Sequence, residues 1–461
     1  MDNRDTSAYR TAALPAPDYR ARPLGVGIVH VGVGGFHRSH QAVYTHELMR
    51  RGLADDWAIL GVGTRPDDVR MHQVLTAQNG CYVLEIRAAD GSRRAEVIGS
   101  LVGHLQATDD PDAVVSALTD PAVRIVTLTI TEGGYDESAQ QGGVSVFGLL
   151  SDALAARWAA GTVPFTVVSC DNIQHNGQVA RRALTTFAAG RDPELAAWIE
   201  SEVAFPSSMV DRITPATTPS DVAAVREHTG WADEWPVVAE PFTQWVLEDR
   251  FPAGRPPWEE VGVQLVEDVA PYEKLKLRIL NGAHQAIAYA GLLLGHRMVH
   301  EAAADTDVRA FVRGYLKREA TGTLDRVPGI DVPEYVETVL GRFTNPAIAD
   351  TLERLAVAAT DRIGGFVIPV ALDLLRARRP APGAGAVVAL WQAAGREAER
   401  AGFVIADGTT ARLVADDAPT TAWLDASAPA DPLVRQLLPD VERAADLLRT
   451  SGPRGLLRGF A

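Results

Sequence analysis

Glu273, Lys276, Asn281 and His284 are polar residues set into an otherwise apolar stretch of helical periodicity. At about 100° per residue, a regular helix carries all four on one face ~140° wide, with Lys276 and Asn281 at its two edges. Leu275, Ile279, Leu280, Ala283, Ala286 and Ile287 cover the other faces, so the helix reads as buried nearly all round. A polar face on a buried helix must find partners or line a cavity, because an unpaired buried charge is expensive. Lys276 could serve there as a base, since desolvation disfavours the ammonium form and brings a free amine within reach of working pH. The Asn281 side-chain N–H can support an alkoxide or a carbonyl oxygen, and His284 can hold a hydroxyl. The same spacing also suits a Glu273–Lys276 salt bridge beside a satisfied core histidine. Lys274 projects ~160° away from Lys276 around the helix.

A second constellation lies near the start of the chain. Gly32, Gly34 and Gly35 follow a short apolar run and lead into Phe36, His37 and Arg38. A glycine turn between a strand and a helix can seat a dinucleotide pyrophosphate, because the backbone approaches closely and the helix start offers N–H donors. The third glycine of the usual G-x-G-x-x-G pattern is replaced by His37, and an ordinary strand-to-helix turn would look the same. Arg38 could pair with phosphate or simply be a solvated helix residue. Asp67 and Asp68 are candidates for the ribose hydroxyls, although they lie well beyond the usual offset of ~20 residues. Arg65 in the same loop could instead meet a 2′-phosphate, so NAD is favoured and NADP stays open.

Three more polar clusters follow apolar runs: residues 131–135 (TEGGY, with Glu132), 169–177 (SCDNIQHNG, with Asn172) and 210–215 (VDRITP, with Asp211). Carboxyl ends of parallel strands are where α/β sheets bind ligands. Taken alone, Asp171 or Asn176 reads as the N-cap of a following helix.

The elements that must carry these groups change character along the chain. Strand-like runs at 25–31, 57–62, 124–130 and 164–169 alternate with helical stretches at 40–51, 112–118 and 147–159, a rhythm that argues for a parallel sheet covered by helices. Residues 82–87 and 94–98 flank Asp90-Gly91 as a hairpin. After a last strand-like run at 263–269 the periodicity is helical: 272–294, 305–317, 331–340, 345–376, 386–401 and 431–449. The expected architecture is an α/β Rossmann-like N-terminal domain, 1–269, and a mostly α-helical C-terminal domain, 270–461.

Composition narrows the function. With 44 Lys and Arg against 59 Asp and Glu, the net charge of −15 disfavours nucleic acid and anionic membrane as partners. Two cysteines, Cys81 and Cys170, supply neither a disulfide framework nor a cysteine-rich zinc site. The polar start of the chain has no apolar signal-like core, and no window reaches the ~18 apolar residues of a membrane span. These features place the expected protein in the cytoplasm, with a small molecule as its partner. Nothing in them demands an oligomer, and a monomer is compatible with them.

Together the motifs resemble the long-chain polyol dehydrogenases of the mannitol dehydrogenase family. The resemblance rests on 32–40 (GVGGFHRSH), TEGGY, SCDN with its following NG, VDRITP, the K-x4-N-x2-H of Lys276, Asn281 and His284, and RFTNP at 342–346. These run in family order from about residue 26 to 369, and no motif is recognisable beyond about 380. The resemblance implies an NAD(P)-dependent secondary-alcohol dehydrogenase that works without metal. Lys276 would be the general base, Asn172 and Asn281 the donors around the developing alkoxide, and His284 a hydroxyl ligand. Asp211, Glu132, Arg354 and Arg362 would contact substrate, and Glu273 would sit beside the lysine. Two positions depart from the family: Arg362, where lysine is common, and Pro66, where an acidic residue is expected. The implied reaction is D-mannitol to D-fructose. Fructuronate or tagaturonate reduction and arabinitol oxidation are the alternatives within the family, and a non-catalytic dinucleotide sensor is the alternative outside it.

Overall fold

The computed structural model describes residues 14–136 and 143–461. The chain divides into two compact units, Met1–Val269 and Ala270–Ala461.

The first unit is built on a five-stranded, all-parallel sheet of β1 (Val26–Val31), β2 (Ala58–Gly63), β5 (Leu101–Gln106), β6 (Ile125–Leu128) and β7 (Thr166–Ser169), in the order β5-β2-β1-β6-β7. The order reverses direction between β1 and β6, the switch point where such sheets bind ligands. Alternate residues feed two cores: Ile28, Ile59 and Ile125 pack on one face, Val29, Leu60 and Val126 on the other. Two further sheets have three strands each. β4 (Arg93–Ile98), β3 (Tyr82–Arg87) and β9 (Val237–Ala239) form one; β11 (Gln264–Val266), β10 (Gln244–Glu248) and β8 (Ser208–Asp211) form the other. The Asp90-Gly91 hairpin forms between antiparallel β3 and β4, with Gly91 at φ 83°.

Several elements were not anticipated. β5 completes the main sheet from a stretch whose alternation is broken by Gly103 and His104, and β8 runs into the polar cluster at 210–215. Helices Pro193–Glu202, Gly408–Ala415 and Thr420–Ser427 also appear. The first carries a legible start signal: Asp192 caps the backbone N–H groups of Glu194 and Leu195, and Pro193 fills the first helical position. In the second unit the expected single helix over 345–376 is broken. Thr351 caps a short turn at Leu352–Leu355, Ala358 takes a left-handed conformation at φ 51°, and the helix resumes at Ala359–Arg362. The stretch beyond 380, which carries no motif, is structural. Helix Pro382–Ala401 packs against helix Leu438–Phe460, and Glu319 accepts hydrogen bonds from the N–H groups of Gly383 and Ala384 at the start of the former. Among the described residues no helix is long and apolar enough to cross a membrane.

Two buried polar arrangements set the geometry of the sheet. Arg157 is 1% exposed and donates to the carbonyls of Leu118, Asp120, Val123 and Val163, which ties the end of helix Pro111–Thr119 to the entry of β6. Burial pulls its guanidinium down to about 10. The other is a histidine row. His30 on β1 lies between Thr127 and Gly61 in register, and Gly61 pairs with His104 on β5. A Cβ on Gly61 would meet His104 Cδ2 at 2.9 Å, so a glycine there makes room for the imidazole. His37 stacks flat on His30, 3.4 Å between centroids and 8° between planes. Burial lowers all three imidazoles, His30 and His104 to about 3.

Two outcomes follow. Arg157→Leu would remove a donor from four backbone carbonyls, two of them, Leu118 and Val123, in the interior, and should cost about 2–4 kcal/mol, read as a lower denaturant midpoint. The histidine row makes stability fall in acid: the unfolded chain takes up protons near pH 6.5, while the folded imidazoles resist until about 3. His37 faces His30, His40, His104 and Arg38, all of which oppose its protonation. Melting temperature should therefore drop between pH 7 and 4, and His37→Phe, which keeps a flat ring but cannot titrate, should flatten that drop.

Candidate active site

In the first unit the residues around the switch point enclose a cavity of about 510 Å³. Its wall comes from the glycine turn (Gly32, Gly34), the end of β2 (Thr64, Arg65, Asp68), the end of β6 (Thr129, Ile130, Thr131) with Gly133 and Gly134, and Gly143, Val144 and Val146. Gly32 has φ 91°, and a Cβ there would lie 2.2 Å from the carbonyl oxygen of Thr129. Only glycine allows β1 to leave the sheet this close to Thr129, which is the tight turn that the first glycine of a dinucleotide-binding turn makes. The position where a third glycine normally lets helix and strand pack closely holds His37. Its ring lies face to face with that of His30, so two flat imidazoles achieve the packing instead.

The acidic pair divides. Asp68 lines the cavity, and one of its oxygens accepts the N–H groups of Thr64 and Arg65, both at 2.9 Å. Asp67 is not among the lining residues; its side chain is 88% exposed and lies 3.6 Å from the Arg65 guanidinium. Arg38 is turned away from the cavity. Its guanidinium donates to the carbonyl of Trp235 and lies 5.2 Å from the centroid of Tyr82, and burial lowers it. The expected pairing of Arg38 with phosphate is thus replaced by a packing role, because helix Gly35–Ser39 presents that side to β9 rather than to the turn. Phe36 stacks on His40 at 4.9 Å and packs at the edge of the core. Gly35 starts the helix but does not line the cavity.

Beyond the ends of β6 and β7, Glu132 opens the short turn Glu132–Tyr135 and is exposed, as is Asn172. Asp211 closes β8 and is buried. Neither Asp171 nor Asn176 caps the helix Asn176–Ala189; the cap position is His175, without a side-chain bond. Asn176 instead donates to the carbonyls of Asp171 and Ser208 and accepts the Ser208 N–H, stapling the loop to β8. Asp171 is committed to the loop after β6.

In the second unit one continuous helix spans 270–293, but it is not regular. Ala270–Lys276 and Gly282–Leu293 are α-helical, and Leu277–Asn281 between them forms a π turn. A π turn takes up one extra residue, so everything after it is rotated back by about 100°. Glu273, Lys276, Asn281 and His284 then fall within an arc of ~80°, not the ~140° of a regular helix. Glu273, Lys276 and Asn281 are all less than 10% exposed. The His284 ring packs on Phe343 at 4.5 Å, which gives the RFTNP segment a place beside this face. Lys274 points elsewhere and pairs with Asp325 at 2.8 Å, and buried Arg278 pairs with Asp373 at 2.7 Å. Arg354 grips Asp350 with two nitrogens, and Arg362 donates to the carbonyls of Arg354 and Leu355. Both arginines are thus held by the loop that precedes the π turn Ile363–Val367, which packs on the first one.

Comparison with known proteins accounts for both units. Residues 26–260 match the model of the mannitol dehydrogenase Rossmann domain, and 268–432 that of the mannitol dehydrogenase C-terminal domain. Mannitol 2-dehydrogenase of Aspergillus fumigatus is 45% identical over 382 residues, covering 78% of this chain and 76% of that protein. A mannitol dehydrogenase of Saccharomyces cerevisiae is 41% identical over 393 residues, covering 81% and 78%. Among solved structures, the Pseudomonas fluorescens mannitol 2-dehydrogenase in ternary complex with NAD and D-mannitol superposes with a TM-score of 0.86 at 40% identity, over 96% of each chain. A substrate-free D-sorbitol dehydrogenase gives the same TM-score at 33% identity, over 99% of this chain and all of that one. With a Rossmann unit, a helical unit and relatives of this similarity across most of its length, the chain belongs to the mannitol dehydrogenase family.

Proposed function

We propose that this protein interconverts D-mannitol and D-fructose with NAD, in the cytoplasm, with Lys276 as general base and no metal. It is an NAD-dependent polyol dehydrogenase in this reading. The observation that carries the mechanism is the narrow polar face that the π turn makes from Glu273, Lys276, Asn281 and His284 on a buried helix. The cavity at the switch point suits a dinucleotide: Gly32 makes the tight turn at its edge, close against Thr129, and Asp68 stands at the end of β2, where a ribose would be held. When bound, NAD supplies the acceptor for the hydrogen on the carbinol carbon.

The chain's own residues handle the proton and the oxygen. Lys276 Nζ takes the hydroxyl proton as the carbinol is oxidised and returns it when the ketone is reduced. The amide N–H groups of Asn281 and Asn172 support the oxygen while it bears negative charge. His284 and Asp211 bind neighbouring hydroxyls, as do Glu132, Arg354 and Arg362 in the family pattern. Glu273, one turn before Lys276, gives the released proton a carboxylate to pass to. The sorbitol dehydrogenase likeness supports a second polyol as an alternative substrate, since the two sugar alcohols differ at one carbinol centre.

A panel of hexitols, pentitols and hexuronates, assayed with enzyme dialysed against a chelator, tests the assignment. D-mannitol should give the highest kcat/KM, and the dialysed enzyme should keep its activity; a uronate preferred over every polyol would move the protein to the reductase branch. Polyol oxidation should rise and ketose reduction fall as pH is raised through the titration of the base. Lys276→Ala should lower both by roughly 10³-fold or more while NAD still binds, and Lys274→Ala should be near wild type.

Cofactor choice is a separate outcome. Asp68 in the cavity wall sets negative charge where a 2′-phosphate would lie, so kcat/KM should favour NAD over NADP by about tenfold, or about 1.4 kcal/mol. Equal use of both would show that Arg65 dominates the pocket.

A further inference from the structure

Asp171 is a buried carboxylate with no assigned part in the reaction, and its hydrogen bonds all run to one place. Its two oxygens accept the backbone N–H of Ile130 at 3.1 Å, the backbone N–H of Thr131 at 2.8 Å and the Tyr135 hydroxyl at 2.7 Å. Because Tyr135 spends its proton on Asp171, the Ser169 hydroxyl 2.6 Å away donates to Tyr135. A side chain just past the end of β7 thus holds the exit of β6 and both ends of the turn that follows.

What it holds is strained. Thr131 has φ 63° and ψ 170°, a backbone region that glycine occupies and a β-branched residue avoids. Strain of this kind persists only where surrounding contacts over-determine it, and here both the strained residue's own N–H and the one before it end on the same carboxylate. Ile130, Thr131, Gly133 and Gly134 are cavity wall. Burial raises the Asp171 carboxyl above its ordinary value.

We propose that Asp171 is a positioning residue for the cofactor: by clamping Ile130 and Thr131 it holds Thr131 in a glycine-like conformation and thereby shapes the wall of the dinucleotide cavity. This rests on the reading of that cavity as the NAD site, and not on the identity of the polyol. An asparagine at 171 would keep one acceptor oxygen but turn an NH2 group either toward the Thr131 N–H or toward both the Ile130 N–H and the Tyr135 hydroxyl.

The test is NADH binding, followed by fluorescence, together with steady-state kinetics. Asp171→Asn should weaken NADH by roughly tenfold and raise the KM for NAD to match, with kcat at saturating NAD changed by less than about threefold. Adding Thr131→Gly to Asp171→Asn should recover most of that loss, because glycine takes the conformation without being held. Adding Thr131→Val should recover nothing. Tyr135→Phe takes one of the three hydrogen bonds from the Asp171 carboxylate, together with the Ser169 contact, and should weaken NADH by about two- to fivefold, which keeps the test available if Asp171→Asn does not fold. NADH binding unchanged in Asp171→Asn, or in Tyr135→Phe should the former not fold, overturns the clamp. So does a loss that Thr131→Gly leaves in place. Failure of the wild-type enzyme to bind NADH is a different result, and it removes the cofactor reading itself.

Discussion

A Cβ on Gly32 would lie 2.2 Å from the carbonyl oxygen of Thr129, and most of the cofactor half follows from the absence of that atom. Without it, β1 and β6 stay paired to their last residues and part company together. Their exits diverge over a cavity, and the neighbouring loops must close it. Thr129 returns the contact by donating its hydroxyl to the Gly32 carbonyl at 2.7 Å. The helix that follows the turn has only five residues, and the histidine stack beneath it sets how near that helix sits to the sheet.

The helical half answers a different problem, how to keep four polar groups on one side of a helix that is otherwise enclosed. Charged and amide side chains dispersed over ~140° of a buried helix would each need a separate polar neighbour. Gathered into ~80°, they can serve one another and a shared ligand. The π turn does this by taking up one extra residue within the helix. Two more π turns, Leu316–Ala320 and Ile363–Val367, occur in the same unit and pack against the first, so the irregularity is supported by its neighbours rather than isolated.

The legible part of the molecule was that governed by local chemistry. Glycines, the Asp90-Gly91 hairpin and the β-branched runs announce the strands of the first half, and the polar residues of the 270–293 helix stand out against its apolar background. What could not be read depends on partners distant in sequence. The fate of Arg38 is decided by Tyr82 and Trp235, far along the chain. Asp171 looks like a helix cap because a helix follows it, yet its ligands are forty residues earlier. The π turn leaves no mark in the hydrophobic pattern; Leu277–Asn281 mixes apolar and polar residues as the α-helical turns beside it do.

The π turn also bears on how this chemistry could be moved to another scaffold. Copying Lys276, Asn281 and His284 onto a straight helix with their present spacing would rotate the amide and the imidazole about 100° away from the lysine. A designer working on an ideal helix would have to delete one of the four intervening residues. The spacing of the motif therefore encodes a backbone irregularity as well as a set of side chains, and the two have to be transplanted together.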